Sequence, residues 1–215
     1  MNSDLTEYYA KRAAEYEAIY NKPERQSDLS TATKLLQEIF KDQNVLEIAC
    51  GTGFWTEKIA RTARFILATD INESVLEIAR NKNYPNNNVQ FEAADLYRIQ
   101  PEKPADALFG GFIWSHIKIE ELGHFTDKLN ALVKPGSTIV LMDNRFVPGS
   151  NTPIAEQDAQ GNTYQSRKLQ NGESYLVLKN FPEREAIEAV LTGKAQRLQY
   201  IPLHYFWICV YQTME

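Results

Sequence analysis

The clearest chemistry in this sequence lies around a glycine turn. Val45-Leu46-Glu47-Ile48-Ala49-Cys50-Gly51-Thr52-Gly53 reads as a short buried strand that runs into a turn and opens a helix. Glycines at such a turn permit positive φ and let the backbone approach a ligand closely. A dinucleotide-binding turn wants a third glycine at position 56, which is Thr56, so a pyrophosphate cradle is poorly matched. Asp70 ends the next strand-like segment, where its two oxygens can accept both hydroxyls of a ribose. Asp95 follows the third, a further acceptor along the carboxyl edge where open α/β sheets bind ligands. A ligand with a ribose and a second donor-rich end, lacking a diphosphate, fits better than NAD.

Further along the chain stand groups suited to holding or deprotonating a second molecule. His116 follows the fourth strand and is the best-placed general base, while His204 opens the last strand. His124 falls on the outer side of a helix. Asn144 and Arg145 end the fifth strand, where an arginine could grip a carboxylate through two parallel hydrogen bonds. Tyr9, Tyr16 and Tyr20 are spaced by seven and four and share a helical face, with Arg12 and Arg25 nearby. Their hydroxyls suit a carboxylate and their ring faces attract a cation. Tyr164, Arg167 and Tyr175 lie on an expected hairpin.

These residues need a scaffold, and the pattern supplies an α/β one by alternating strand-like and helix-like segments. Strands are expected over 45–49, 65–69, 89–93, 105–111 and 138–142, with helices over 8–20, 33–40, 56–62, 73–80 and 119–132. Lys134-Pro135-Gly136 reads as a turn before the fifth strand. Segments 163–169 and 174–179 flank Asn171-Gly172, a strong hairpin signal. A helix over 182–191 and a strand pair over 197–201 and 205–211 close the chain. The expectation is a single domain over 1–215, with an N-terminal helical lid over 1–30 and an inserted loop and hairpin over 147–180.

Composition limits the function classes. The chain has 215 residues, 43% hydrophobic and 24% charged, inside the globular range. No apolar run reaches the ~18–20 residues of a membrane span. The N-terminus lacks the basic start and apolar stretch of a secretory signal, and two cysteines make no disulfide framework, so a cytoplasmic location is expected. A net charge of −5 disfavours a nucleic-acid binder. No His/Asp/Glu spacing suggests a metal site. Tyrosine occurs 11 times against three methionines and three histidines, and Tyr8, Tyr9, Tyr16 and Tyr20 fall in the first twenty residues.

Glu47-Ile48-Ala49-Cys50-Gly51-Thr52-Gly53, followed by Asp70 and Asp95, resembles the class I, Rossmann-like S-adenosylmethionine-dependent methyltransferases. The resemblance covers nearly the whole chain, with Ala49 standing where the family has its first glycine. It implies a seven-stranded, mostly parallel sheet with helices on both faces and the last strand antiparallel. It also implies S-adenosyl-L-methionine as cofactor, with S-adenosyl-L-homocysteine as product. Glu47, Ala49, Gly51 and Gly53 would then pass under the methionine end, Asp70 would hold the ribose, and Asp95 would read the adenine amino group. Thr56, Ile71, Leu96 and Gly111 join that set, with Tyr9, Tyr16 and Arg25 as a cover. Trp55 and Leu96 would sandwich the adenine or else belong to the core. Asp106 to His116 matches the fourth-strand motif flanking the reactive methyl, so His116 and Asn144 become the catalytic candidates. Tyr20, Trp114, Arg145, Tyr164, Arg167 and His204 become the substrate candidates.

A narrower resemblance rests on Tyr8 to Glu17, Lys22-Pro23-Glu24-Arg25-Gln26, Asp143-Asn144-Arg145 and Gly161 to Gln165. These segments look like the methyltransferase module of ovothiol-forming enzymes, which methylates an imidazole nitrogen of a thiolated histidine. The resemblances together imply methyl transfer to a heteroatom, nitrogen favoured, of a small polar metabolite, by a monomer or homodimer. An O-methyltransferase of a small carboxylate or phenol, a nicotinamide oxidoreductase and a non-catalytic binding protein stay open as alternatives. Nucleic-acid amino methyltransferases of this fold carry an (Asn/Asp)-Pro-Pro-aromatic motif, where this chain has Gly110-Gly111-Phe112-Ile113.

Overall fold

The computed structural model describes residues 3–101, 104–169 and 171–215, with the side chains of 3–6, 14 and 16 outside that description. Strand β1 (Asn44–Ile48) is central to a seven-stranded sheet with β2 (Phe65–Asp70), β3 (Val89–Ala93), β4 (Ala105–Gly111), β5 (Val133–Asn144), β9 (Ala195–Pro202) and β10 (Phe206–Thr213). Their order is β3-β2-β1-β4-β5-β10-β9. β1 runs parallel to β2 and β4, and β10 runs antiparallel to β5 and β9. This is the Rossmann-like arrangement the resemblance implied.

Helices on both faces explain why β1 is buried from Val45 to Ile48, as parallel strands covered on two sides are. Val45, Ala107, Phe109 and Val140 point to one face and pack with Leu36 of α2 (Gln26–Ile39) and Ile59 of α3 (Phe54–Ile59). Leu46, Leu108 and Ile139 point to the other, against Phe125 and Leu129 of α5 (Leu122–Ala131) and Ile187 of α6 (Arg184–Leu191). α4 (Glu73–Arg80) follows β2. The chain winds outward from β1 to β3, then crosses to β4 and winds the other way. The carboxyl ends of β1 and β4 therefore flank a switch point, where open α/β sheets form their ligand crevice.

Two local expectations are corrected. The helix expected over 8–20 divides into α1 (Ser3–Arg12) and a 3₁₀ helix, Ala13–Asn21. Three residues per turn put Glu17 and Tyr20 on one side, where Glu17 accepts from the Thr52 hydroxyl at 2.7 Å and Tyr20 stacks on Phe54 at 3.7 Å. Tertiary contacts thus override the longer α pattern. Lys134-Pro135-Gly136 lies inside the long β5, where Gly136 takes φ 74° and the pairing with β4 shifts register between Ala105 and Ala107. The segment is a bulged strand start and not a free turn.

After β5 the chain forms a second, three-stranded antiparallel sheet of β6 (Glu156–Gln157), β7 (Thr163–Lys168) and β8 (Ser174–Leu178). Gly172 closes the β7–β8 hairpin at φ 92°. Helix α1 rests on it: Tyr8 meets Tyr175 with ring centres 5.5 Å apart, and Lys11 reaches the Tyr175 hydroxyl and Glu173. The N-terminal segment and the hairpin together cover the carboxyl edge of the main sheet.

Candidate active site

The turn after β1 is held in an uncommon backbone. Ala49, Gly51 and Gly53 have φ of 51°, 55° and 78°. Ala49 adopts positive φ despite its Cβ, at a cost of about 1–2 kcal/mol, so the departure from glycine leaves the turn intact. At Gly53 the demand is also steric, because a Cβ would stand 2.7 Å from the Tyr84 hydroxyl.

Asp70, at the end of β2, anchors this turn. Its Oδ2 accepts from the Gly51 amide and its Oδ1 from the Asn72 amide, both at 2.9 Å. Burial raises its pKa while these amides pull against the rise. Carboxylate oxygens have spare lone pairs beyond one bond each, so Asp70 keeps capacity for two hydroxyls. Glu47 lies beneath the turn, 2% exposed, with no hydrogen-bond partner for Oε2 among the described residues. Burial pushes its carboxyl up to about 8. The Trp55 indole nitrogen is buried and likewise without a partner. Such orphaned groups are what a site built for a polar ligand leaves when unfilled.

Two cavities open over the sheet edge and meet. One, about 100 Å³, is bounded by Asp70, Ile71, Asn72, Val75 and Leu96, with Gly51 and Gly111 at its base. The other, about 430 Å³, is polar and lined by Arg12, Lys22, Arg25, Arg167, Lys168 and Lys179. Tyr9, Phe112 and His116 line both and so form the boundary. A small third cavity beneath the turn is bounded by Glu47, Ala49, Gly51 and Trp55.

His116 ends a 3₁₀ turn, Trp114–His116, directly after β4. Its Nδ1 lies 2.7 Å from the Leu178 carbonyl oxygen, which can only accept, so Nδ1 carries the proton. Burial, with Lys179 and Arg167 nearby, holds its pKa well below 6.5. The ring is therefore neutral with Nε2 bare, and the Tyr9 hydroxyl donates to that nitrogen at 2.8 Å. Behind the ring lies a buried ion pair. Asp143 is fully buried, and its Oδ1 takes the Lys179 ammonium at 2.9 Å while its Oδ2 accepts from the Ser115 amide. Lys179 also donates to the Ser115 hydroxyl. Burial opposes ionisation of Asp143, yet Lys179 keeps its pKa below the usual value.

The structure gathers Tyr9, Ala49, Gly51, Asp70, Ile71, Leu96, Gly111 and His116 at the first cavity, and Asn144 and Arg167 at the second. Other expected site residues lie elsewhere in this structure. Arg25 lies in the polar cavity, bonded to Ser150 and Asn144, and not beside the cofactor cavity. Asp95 caps its own turn through the Tyr97 amide and does not line the first cavity. Trp55 sits under the glycine turn near Phe112, away from Leu96, so the two do not sandwich a ring. Thr56 is fully buried in α3. Tyr20 stacks on Phe54 and lines the third cavity, beside Glu47, whereas Trp114 is a core side chain against Phe125 and Trp207. Arg145 turns away to the Leu203 carbonyl, Tyr164 bonds Asp158, and His204 is exposed in the β9–β10 turn. The side chain of Tyr16 lies outside the described residues. Lys179, Lys22 and Ser150 were missed, because no motif marks them and their partners are remote in sequence.

Among the described residues, no helix is long and apolar enough to cross a membrane, and no group of three or more His, Cys, Asp or Glu could hold a metal ion.

Comparison with known proteins agrees with this architecture. Residues 45–136 match the family described as "Methyltransferase domain". Over 108 residues the chain is 32% identical to malonyl-[acyl-carrier protein] O-methyltransferase 2 of Ilyobacter polytropus, covering 48% of this chain and 39% of that protein. The chain thus spans about two fifths of the length of that relative. An uncharacterized methyltransferase of Anoxybacillus flavithermus is 23% identical over 97% of both chains. Among solved structures, a DhpI–SAH complex superposes with a TM-score of 0.80 at 24% identity, covering 100% of this chain and 99% of that one. The chain thus has the fold of these S-adenosylhomocysteine- and S-adenosylmethionine-bound structures, and residues 45–136 match a methyltransferase domain.

Proposed function

We propose that this protein transfers a methyl group from S-adenosylmethionine to a heteroatom, nitrogen first, of a small polar metabolite. The observation that carries this reading is the meeting of two chemically different cavities at Tyr9 and His116. Asp70, with Ile71, Val75 and Leu96, suits a ribose and an apolar ring, while Glu47 and the turn backbone suit an amino-acid end carrying an ammonium. S-adenosylmethionine bound there would supply a sulfonium methyl open to in-line displacement.

The chain's own residues then orient the acceptor, exclude water and receive a proton. His116 is neutral, with Nε2 facing Tyr9, so the pair can take a proton from an N–H or O–H acceptor at the cavity boundary. The first cavity, about 100 Å³, lies beneath the segment carrying Tyr9, and a shift of that segment would enlarge it for a nucleoside-sized ligand. A second reading, O-methylation of a small carboxylate, is favoured by the cations of the larger cavity. A screen of small zwitterions, imidazoles, carboxylates and phenols with radiolabelled methyl donor tests both. Labelled product from a zwitterion or imidazole supports the first reading, whereas no acceptor and no cofactor binding overturns both.

A further inference from the structure

The polar cavity has a charge that the chain's composition does not explain. Among the described residues, six cationic side chains line it against one carboxylate, that of Glu15, in a protein whose net charge is −5. Like charges gathered in a cleft repel one another unless something of opposite sign joins them.

Two of these cations are buried. Arg25 is 6% exposed and donates to the Ser150 hydroxyl and carbonyl oxygens and to the Asn144 amide oxygen. Glu24 and Asp28 supply counter-charge nearby, Glu24 through the Ser150 hydroxyl that also holds Arg25, so the compensation is indirect. Lys179 is 4% exposed and has a counter-charge in Asp143. Its bonds to Asp143 and Ser115 use two of the three ammonium donors. On the facing hairpin, Arg167 is braced by two bonds to Gln165 Oε1, at 3.2 and 2.7 Å.

Resting on the methyltransferase reading, we infer that the methyl acceptor carries a compact oxyanion, a carboxylate or a phosphoryl group, seated among Arg25, Arg167 and Lys179. The forked guanidinium groups match such oxyanions through paired hydrogen bonds, and Lys179 acts as a point charge on the cavity wall. The volume of about 430 Å³ suits a small metabolite. The bound oxyanion places the rest of the acceptor toward the Tyr9–His116 boundary. The anionic group is thus the handle by which the acceptor is selected.

The test is calorimetric titration of the full chain, saturated with S-adenosylhomocysteine, by inorganic phosphate, by acetate and by neutral glycerol. Phosphate or acetate should bind while glycerol does not, and affinity should fall about tenfold or more in Arg167→Gln, the loss expected for one charged hydrogen-bonding group. Lys41→Gln, an exposed site elsewhere, should leave it unchanged. Stronger binding of phosphate or of acetate decides between the two oxyanion sources. Absence of anion binding to the native chain, or equal binding in Arg167→Gln, overturns the proposal. Affinity for S-adenosylhomocysteine is read separately and should be unchanged in Arg167→Gln. Its absence in the native chain would defeat the methyltransferase reading while leaving the anion measurement interpretable.

Discussion

The Tyr9 hydroxyl donates to Nε2 of His116 at 2.8 Å, joining the N-terminal cover to the end of β4 at the boundary of two cavities. The bond is oriented by the Leu178 carbonyl on the other side of the ring. On the proposed reading, it links the N-terminal segment with the group that would receive a proton.

His116→Ala should lower turnover by about 100-fold, within the usual range for loss of a general base, with cofactor affinity changed only a few-fold. Because burial, Lys179 and Arg167 depress the His116 pKa, the imidazole is already neutral at pH 6.5. The kcat/KM profile should therefore lack a histidine limb near that pH, and one would appear only at lower values. Steady-state kinetics across pH checks both statements.

Removing the Lys179 ammonium while keeping Asp143 strands a buried carboxylate. Lys179→Met should destabilise the protein by about 3–5 kcal/mol, the scale for breaking a buried pair by losing one partner. The double change Asp143→Asn with Lys179→Met should recover part of that loss. Denaturant unfolding of the three chains provides the comparison.

Glu47 gives a pH signature. Its carboxyl is raised by burial to about 8, so the folded form holds a proton that the unfolded chain releases near the usual carboxylate range. Its favourable contribution is complete below about pH 4.3 and falls as pH rises through the folded value. Glu47→Gln should therefore gain thermal stability relative to the native chain as pH increases from about 5 to about 8. A constant difference in Tm across that range would contradict the burial-driven shift.

What the sequence disclosed follows from how locally each feature is determined. Glu47, Gly51, Gly53 and Asp70 were legible because strand ends and a glycine turn fix their places with little help from the rest of the chain. Asn144 and Arg145 show the limit. Adjacent positions at a strand end point opposite ways, and only the fold decided that Asn144 faces the cavity while Arg145 bonds the Leu203 carbonyl. Trp114 carries an indole that could serve a ligand, yet packing against Trp207 claimed it. Lys179 was invisible because its meaning depends on Asp143, 36 positions away, and on a hairpin folding back across β4. The α/β class was readable from alternation and the seven-stranded sheet from the resemblance, whereas the 3₁₀ segment at Ala13–Asn21 depended on Thr52 and Phe54.

The most direct measurement is calorimetric binding of S-adenosylmethionine to the native chain and to Asp70→Ala. The carboxylate of Asp70 both braces the Gly51 amide and bounds the first cavity. Binding in the micromolar range, about −8 kcal/mol, is expected for the native chain, weakened at least about tenfold in the variant. No binding to the native chain, or equal affinity in a folded Asp70→Ala, would contradict the assignment of this site.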